Sequence, residues 1–298
     1  SVAQAGEKSD GHNSHKTGQS RQMMFLPMSE RQPGFSSYNS AMARSFYRRG
    51  PDHRASAPVT FLDVRRRFQF RSIELGRWVT EPEKQRSASL FYDALCDLMT
   101  ILGGTESLVS LRGTLALQYG IGGRPGVSAH YTPATRSFSL AKNAGPGSIA
   151  HEWFHAFDHY IGEKLFGEAQ RGQFASKLWL GRDDAIRHPL NDHLQACFKA
   201  VLLDEEGAEP SELFRCSIKA DKAAGIQYFS LPEELCARAF EAFVQDADVK
   251  NAFLVSGTRE SEEAKLGLYP VGAQRERVNR AFQGYYSALG QALRAAGS

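Results

Sequence analysis

Long apolar runs are missing from this 298-residue chain. No stretch of 18 apolar residues occurs, so no membrane-spanning helix is expected. No basic segment followed by an apolar one opens it, so no secretory signal is predicted. Cysteine is scarce as well. Cys96, Cys197, Cys216 and Cys236 stand far apart with no CxxC pair, which predicts a reduced set of thiols in a cytoplasmic protein. Neither GxGxxG nor GKS/T occurs, even where Gly120, Gly122, Gly123 and Gly126 crowd together, so no nucleotide-binding loop is expected. There is no internal repeat. A large excess of one charge is absent too: the net charge is +3, too small to imply a nucleic-acid partner by itself. Its distribution is uneven, because residues 1–90 hold 15 Lys/Arg against 8 Asp/Glu. A basic front containing Arg48-Arg49 and Arg65-Arg66-Arg67 fits nucleic acid or an acidic protein, though a solvated arginine face is the commoner outcome.

What is present is an ordinary globular composition, 42% hydrophobic and 23% charged, in a chain long enough for a large core. Residues 1–20 are polar and read as a disordered tail. Residues 21–60 mix apolar residues with prolines and read as an irregular arm. The remaining span, 61–298, reads as one domain. "VTFLDVRRRFQFRSIELGRWV" suggests a strand after a helix, punctuated by Gly76. Leu90, Phe91, Ala94, Leu95, Leu98 and Ile101 have helical spacing, closed by Gly103-Gly104. Two strands are expected at 127–131 and 136–142. A further helix begins at Pro232, with Leu235, Ala239, Phe240 and Phe243 on its apolar face, and another spans 273–296.

The most informative stretch is "GSIAHEWFHAFDHY", from Gly147 to Tyr160. At about 100° per residue, His155 lies about 40° from His151, Asp158 about −20°, His159 about 80° and Glu152 about 100°. All five share one helical face, while Ile149, Trp153, Phe154 and Phe157 are left to pack. Ser148 is the expected N-cap. His151-Glu152-x-x-His155 is the HExxH pattern. Two imidazoles four residues apart reach one zinc ion (Zn2+), and Glu152 is placed as general base and acid for a zinc-activated water. A third ligand is needed, and the extension HExxHxxGxxH is absent because Asp158 replaces the glycine. Glu234 is favoured, with Glu241, Asp158 and His159 as alternatives. Asp158 is better suited to accept a ring N–H from a ligand histidine. Glu241 is better suited to a salt bridge with Arg238. Tyr228 is a candidate oxyanion donor, as are His130 and Tyr131.

The segments "RRFQFRSIELGRWV", "LFYDALCDLMTILG", "SAHYTPATRSFSLAKNAGPGSIAHEWFHAFDHY", "LPEELCARAFEAFVQD" and "LYPVGAQRERVNRAF" together resemble the first type of large polyvalent protein-associated domain, over roughly residues 60–290. Such domains occur in giant proteins of phages and conjugative elements. The resemblance implies a zincin-like metallopeptidase, delivered in some settings alongside mobile DNA into a recipient cell. The HEWFHAFD and EELCARAF pair is also similar to gluzincins of the anthrax lethal factor type, in which the glutamate corresponding to Glu234 is the third ligand. The family usually has glycine before the second histidine. Phe154 stands there, and its bulk is expected to crowd the cleft floor. The expectation is thus an α+β zincin-like fold with a small mixed β-sheet, an active-site helix at 148–162 and a helical C-terminal part. Its substrate would be a peptide or protein. The other class of function open to it is a zinc-stabilised, non-catalytic accessory module that binds DNA or protein.

Overall fold

The computed structural model describes residues 46–121, 129–142 and 147–297. The expected tail at 1–20 and the arm up to residue 45 lie outside these. In chain order the helices are α1 (Phe61–Phe68), α2 (Glu81–Leu102), α3 (Glu106–Val109), α4 (Ile149–Phe166), α5 (Ala175–Leu180), α6 (Pro189–Leu202), α7 (Glu212–Ala224), α8 (Pro232–Asp246), α9 (Glu262–Lys265) and α10 (Gly272–Ala295). The strands are β1 (Arg48–Arg49), β2 (Ile73–Leu75), β3 (Ala116–Tyr119), β4 (Ala129–Thr132), β5 (Ser137–Leu140) and β6 (Lys250–Asn251). The molecule is therefore α+β, with a small sheet and a helical C-terminal part.

Local chemistry explains the N-terminal half. Thr60 with Asp63, and Thr80 with Glu83, form capping boxes that satisfy the first N–H groups of α1 and α2. Gly103 ends α2 in the left-handed conformation, at φ 60°. The main sheet has the order β2-β3-β5-β4, and only the β4–β5 pair is antiparallel. Glycine is required at 76, just past β2, because a Cβ there would sit 2.1 Å from the Gly120 carbonyl oxygen. β3 lies inside the sheet although no strand is expected from its sequence; four residues are too few for a period to show. β4, with Thr132 opposite Ser137, is an edge strand beside α4.

The arm is irregular over 50–60 but not where it meets the core. There β1 pairs antiparallel with β6, and Arg48 and His53 both reach the buried Asp97.

Helices α4, α8 and α10 build the aromatic centre of the core. Trp153 stacks on Phe157 at 5.5 Å and on Phe240 at 5.6 Å, and its indole N–H donates to the Val109 carbonyl. Phe154 lies 5.0 Å from Phe240 and meets Phe282 edge-on. This corrects the expectation that Phe154 crowds a cleft: the ring is wholly buried in the core between Phe240 and Phe282. Ser148 occupies the N-cap position but makes no cap bond, and its hydroxyl is buried without a partner among the described residues. The start of α4 is instead anchored by Gly147 and Ala150 N–H groups donating to the carbonyls of Phe253 and Leu254.

Candidate metal centre

One turn of α4 separates His151 from His155, and α8 packs against that face. Pro232 starts α8 two residues before Glu234, whose carboxylate is aimed at both rings. The His155 and His151 Nε2 atoms are 3.0 Å apart. Glu234 Oε2 lies 3.2 Å from His151 Nε2, and Oε1 lies 3.2 Å from His155 Nε2. All three side chains are buried. Metal–ligand bonds of about 2.0–2.1 Å in a tetrahedron leave about 3.3 Å between ligand atoms, so these spacings match one small cation shared by three donors.

Proton accounting points the same way. His151 Nδ1 lies 2.9 Å from Glu241 Oε2. That contact assigns the proton of the neutral ring to Nδ1 and turns the Nε2 lone pair toward Glu234. Glu234 Oε2 and His155 Nδ1 are buried with no hydrogen-bond partner among the described residues. A buried lone pair facing a buried carboxylate is repulsive unless a second ring proton or a metal cation lies between them. Burial pushes the His151 imidazole down, but the Glu241 and Glu234 carboxylates outweigh it and hold the ring well above its ordinary value. His155 is raised in the same way, chiefly by Glu234. Burial pushes Glu234 up, yet the two imidazoles hold it well below the usual carboxylate range. The cluster favours positive charge, a proton or a metal ion, and two imidazoles with one carboxylate are a donor set compatible with zinc.

The remaining predicted residues divide. Glu152 is buried on the same helix, and its Oε2 accepts the Tyr131 backbone N–H at 2.7 Å. Burial raises its pKa, as a general base requires. Tyr228 is brought to Glu234: burial, then the adjacent carboxylate, holds its phenol far above the ordinary range. Asp158 does not orient a histidine. Its two oxygens accept the Ser176 N–H at 2.8 Å and the Ser176 hydroxyl at 2.6 Å, locking α5 to α4, and burial pushes its carboxyl up to about 7. The carboxylate that meets a histidine Nδ1 is instead that of Glu241, one of the alternative ligands. Its expected salt bridge with Arg238 is not formed, because the guanidinium donates to the carbonyls of Leu268 and Phe229 and to the Ser217 hydroxyl. His159 is no ligand either: its Nδ1 lies 2.9 Å from the Tyr131 hydroxyl. His130, another oxyanion candidate, stands on β4 opposite Ser139.

Tyr269 was not anticipated. Burial and the neighbouring Glu241 carboxylate raise its phenol. Its only signal in the sequence is its place in "LYPVGAQRERVNRAF".

Residues 220–293 match the model of the family named large polyvalent protein-associated domain 1. The matched segment contains Glu234, Arg238, Glu241 and Tyr269, but neither histidine of the cluster. Comparison with curated proteins and with solved structures gives no match.

Proposed function

We propose that this protein is a zinc-dependent metallopeptidase with a zincin-like arrangement, in which His151, His155 and Glu234 hold the ion. The observation that carries the reading is the meeting of two imidazole nitrogens and one carboxylate within 3.2 Å, beside a buried glutamate on the same helix. Zinc, when bound, supplies Lewis acidity and lowers the pKa of a coordinated water to about 7. The chain supplies the rest. Glu152, its basicity raised by burial, takes the proton of the attacking water and returns it to the leaving amine. The Tyr228 hydroxyl, still protonated at neutral pH and resting on Glu234 before substrate binds, swings from that carboxylate to donate to the developing oxyanion. Edge strand β4 offers its outer side to an extended peptide, and the bond from Tyr131 N–H to Glu152 ties that strand to the general base.

Part of the basic front is engaged within the chain, which lowers the support for the non-catalytic module reading. Arg48 pairs with Asp97, Arg54 with Asp93 and Arg67 with Glu106. No helix among the described residues is long and apolar enough to cross a membrane, and all four cysteines are free. We place the activity in a reducing cytoplasm, that of the producing cell or of a recipient.

The test is a peptide-library cleavage screen on wild type and Glu152→Gln, with zinc content measured in parallel. Cleavage by wild type alone, at equal zinc content, supports the peptidase. Equal behaviour of both proteins in every assay, or salt-steep DNA affinity without cleavage, would favour the accessory module.

A further inference from the structure

Along α8, Glu234, Arg238 and Glu241 are spaced by four and then three residues, so they form one stripe. All three are buried. The two carboxylates face the histidines. The guanidinium between them bonds to neither; its carbonyl partners come from two loops, around residues 229 and 268, and its hydroxyl partner from α7. Nε donates to the Leu268 carbonyl at 2.7 Å. Nη2 donates to the Phe229 carbonyl and, at 3.1 Å, to the Ser217 hydroxyl. The Phe229 ring lies 5.7 Å from the same guanidinium. Phe229 adjoins Tyr228, and Leu268 adjoins Tyr269. The first segment is held from its other side by Asp221, which accepts the N–H groups of Tyr228, Phe229 and Ser230.

We propose that Arg238 is a positioning residue of the His–His–Glu centre: by gripping the carbonyls of Phe229 and Leu268 together, it fixes Tyr228 beside Glu234 and Tyr269 beside Glu241. The inference rests on the metal-centre reading above and adds to it a device for holding both carboxylates. Glu234 faces the Nε2 atoms and Glu241 the Nδ1 of His151. Tyr228 adjoins the Glu234 carboxylate and Tyr269 that of Glu241, and a hydroxyl beside each leaves it fewer orientations before any cation arrives. The planar guanidinium suits this task, since it presents several N–H groups at fixed angles; a lysine ammonium has the charge without that fork.

The test measures zinc affinity by chelator competition, and the visible spectrum of the cobalt-substituted protein, for full-length wild type, Arg238→Lys, Tyr228→Phe and Tyr269→Phe. Arg238→Lys is expected to fold, to bind zinc about 10–100-fold more weakly, and to shift the cobalt bands. Tyr228→Phe and Tyr269→Phe are each expected to show a smaller loss. A folded Arg238→Lys protein with wild-type affinity and spectrum overturns the proposal. Should Arg238→Lys fail to fold, the tyrosine variants decide: weakened binding supports the clamp, and unchanged binding in both overturns it. Wild type that binds no zinc would instead overturn the centre itself.

Discussion

Two buried polar clusters in this molecule look alike at first and differ in one respect. At the arm, the Asp97 carboxylate meets Arg48 Nε and Nη2, His53 Nε2 and Asn251 Nδ2, at 2.7–2.8 Å. Its oxygens are answered entirely by donors of the chain. At the interface of α4 and α8, His151, His155, Glu234 and Glu241 bring imidazole nitrogens and carboxylate oxygens together, and Glu234 Oε2 has no hydrogen-bond partner among the described residues. The first cluster is a finished lock between sequence-distant segments. The second has the donor set of a candidate metal site. Buried charge alone therefore does not mark a site; the balance of donors and acceptors does.

That contrast is open to direct attack. The largest effect is expected from His151→Ala or His155→Ala, which should abolish stoichiometric zinc binding as measured by elemental analysis, whereas Asp97→Ala should leave zinc content intact. Asp97→Ala should act on stability instead, lowering it by about 3 kcal/mol in chemical denaturation, because Arg48 and His53 lose a buried partner. Retained zinc binding in either histidine variant, or zinc loss in Asp97→Ala, would erase the distinction. Next in size is Glu241→Gln, expected to weaken zinc about 10–100-fold by removing the anion that holds His151 Nδ1–H. The smallest effect concerns acid. Asp246 is held down to about 2; burial opposes this, but hydrogen bonds from Arg275, Asn279 and Arg259 outweigh it. Its folded pKa lies below the unfolded one, so the stability it contributes is present above about pH 4 and is lost as pH falls toward 2. Asp246→Asn should flatten that acid limb in a pH series of thermal melts and leave the neutral region nearly parallel to wild type.

Long periodic elements were legible. The spacing of Leu90 to Ile101, the proline at 232 and the HExxH face each correspond to a helix found in place. The pairing of His151 and His155 with Glu234 was readable because the i, i+4 spacing fixes the first two and the opening of α8 carries the third. Asp158 was misjudged for a physical reason: helical phase gives a direction along α4, but not the neighbour met there, and α5 supplies Ser176 at that point. Glu241 was undervalued likewise, since seven-residue spacing set it on the Glu234 stripe without showing that His151 Nδ1 would face it. Arg238 and Tyr269 depend on loops returning from 229 and 268, which no local pattern announces. Strands β1, β3 and β6, two to four residues long, carry too little sequence to show alternation.

The central claim is that three side chains from two helices share one ion. The most direct measurement is anomalous diffraction at the zinc edge from crystals grown with zinc. The expected result is one strong peak per chain at about 2.0–2.2 Å from His151 Nε2, His155 Nε2 and a Glu234 oxygen. A peak bound elsewhere, or density showing Glu234 turned away from both rings, would contradict it.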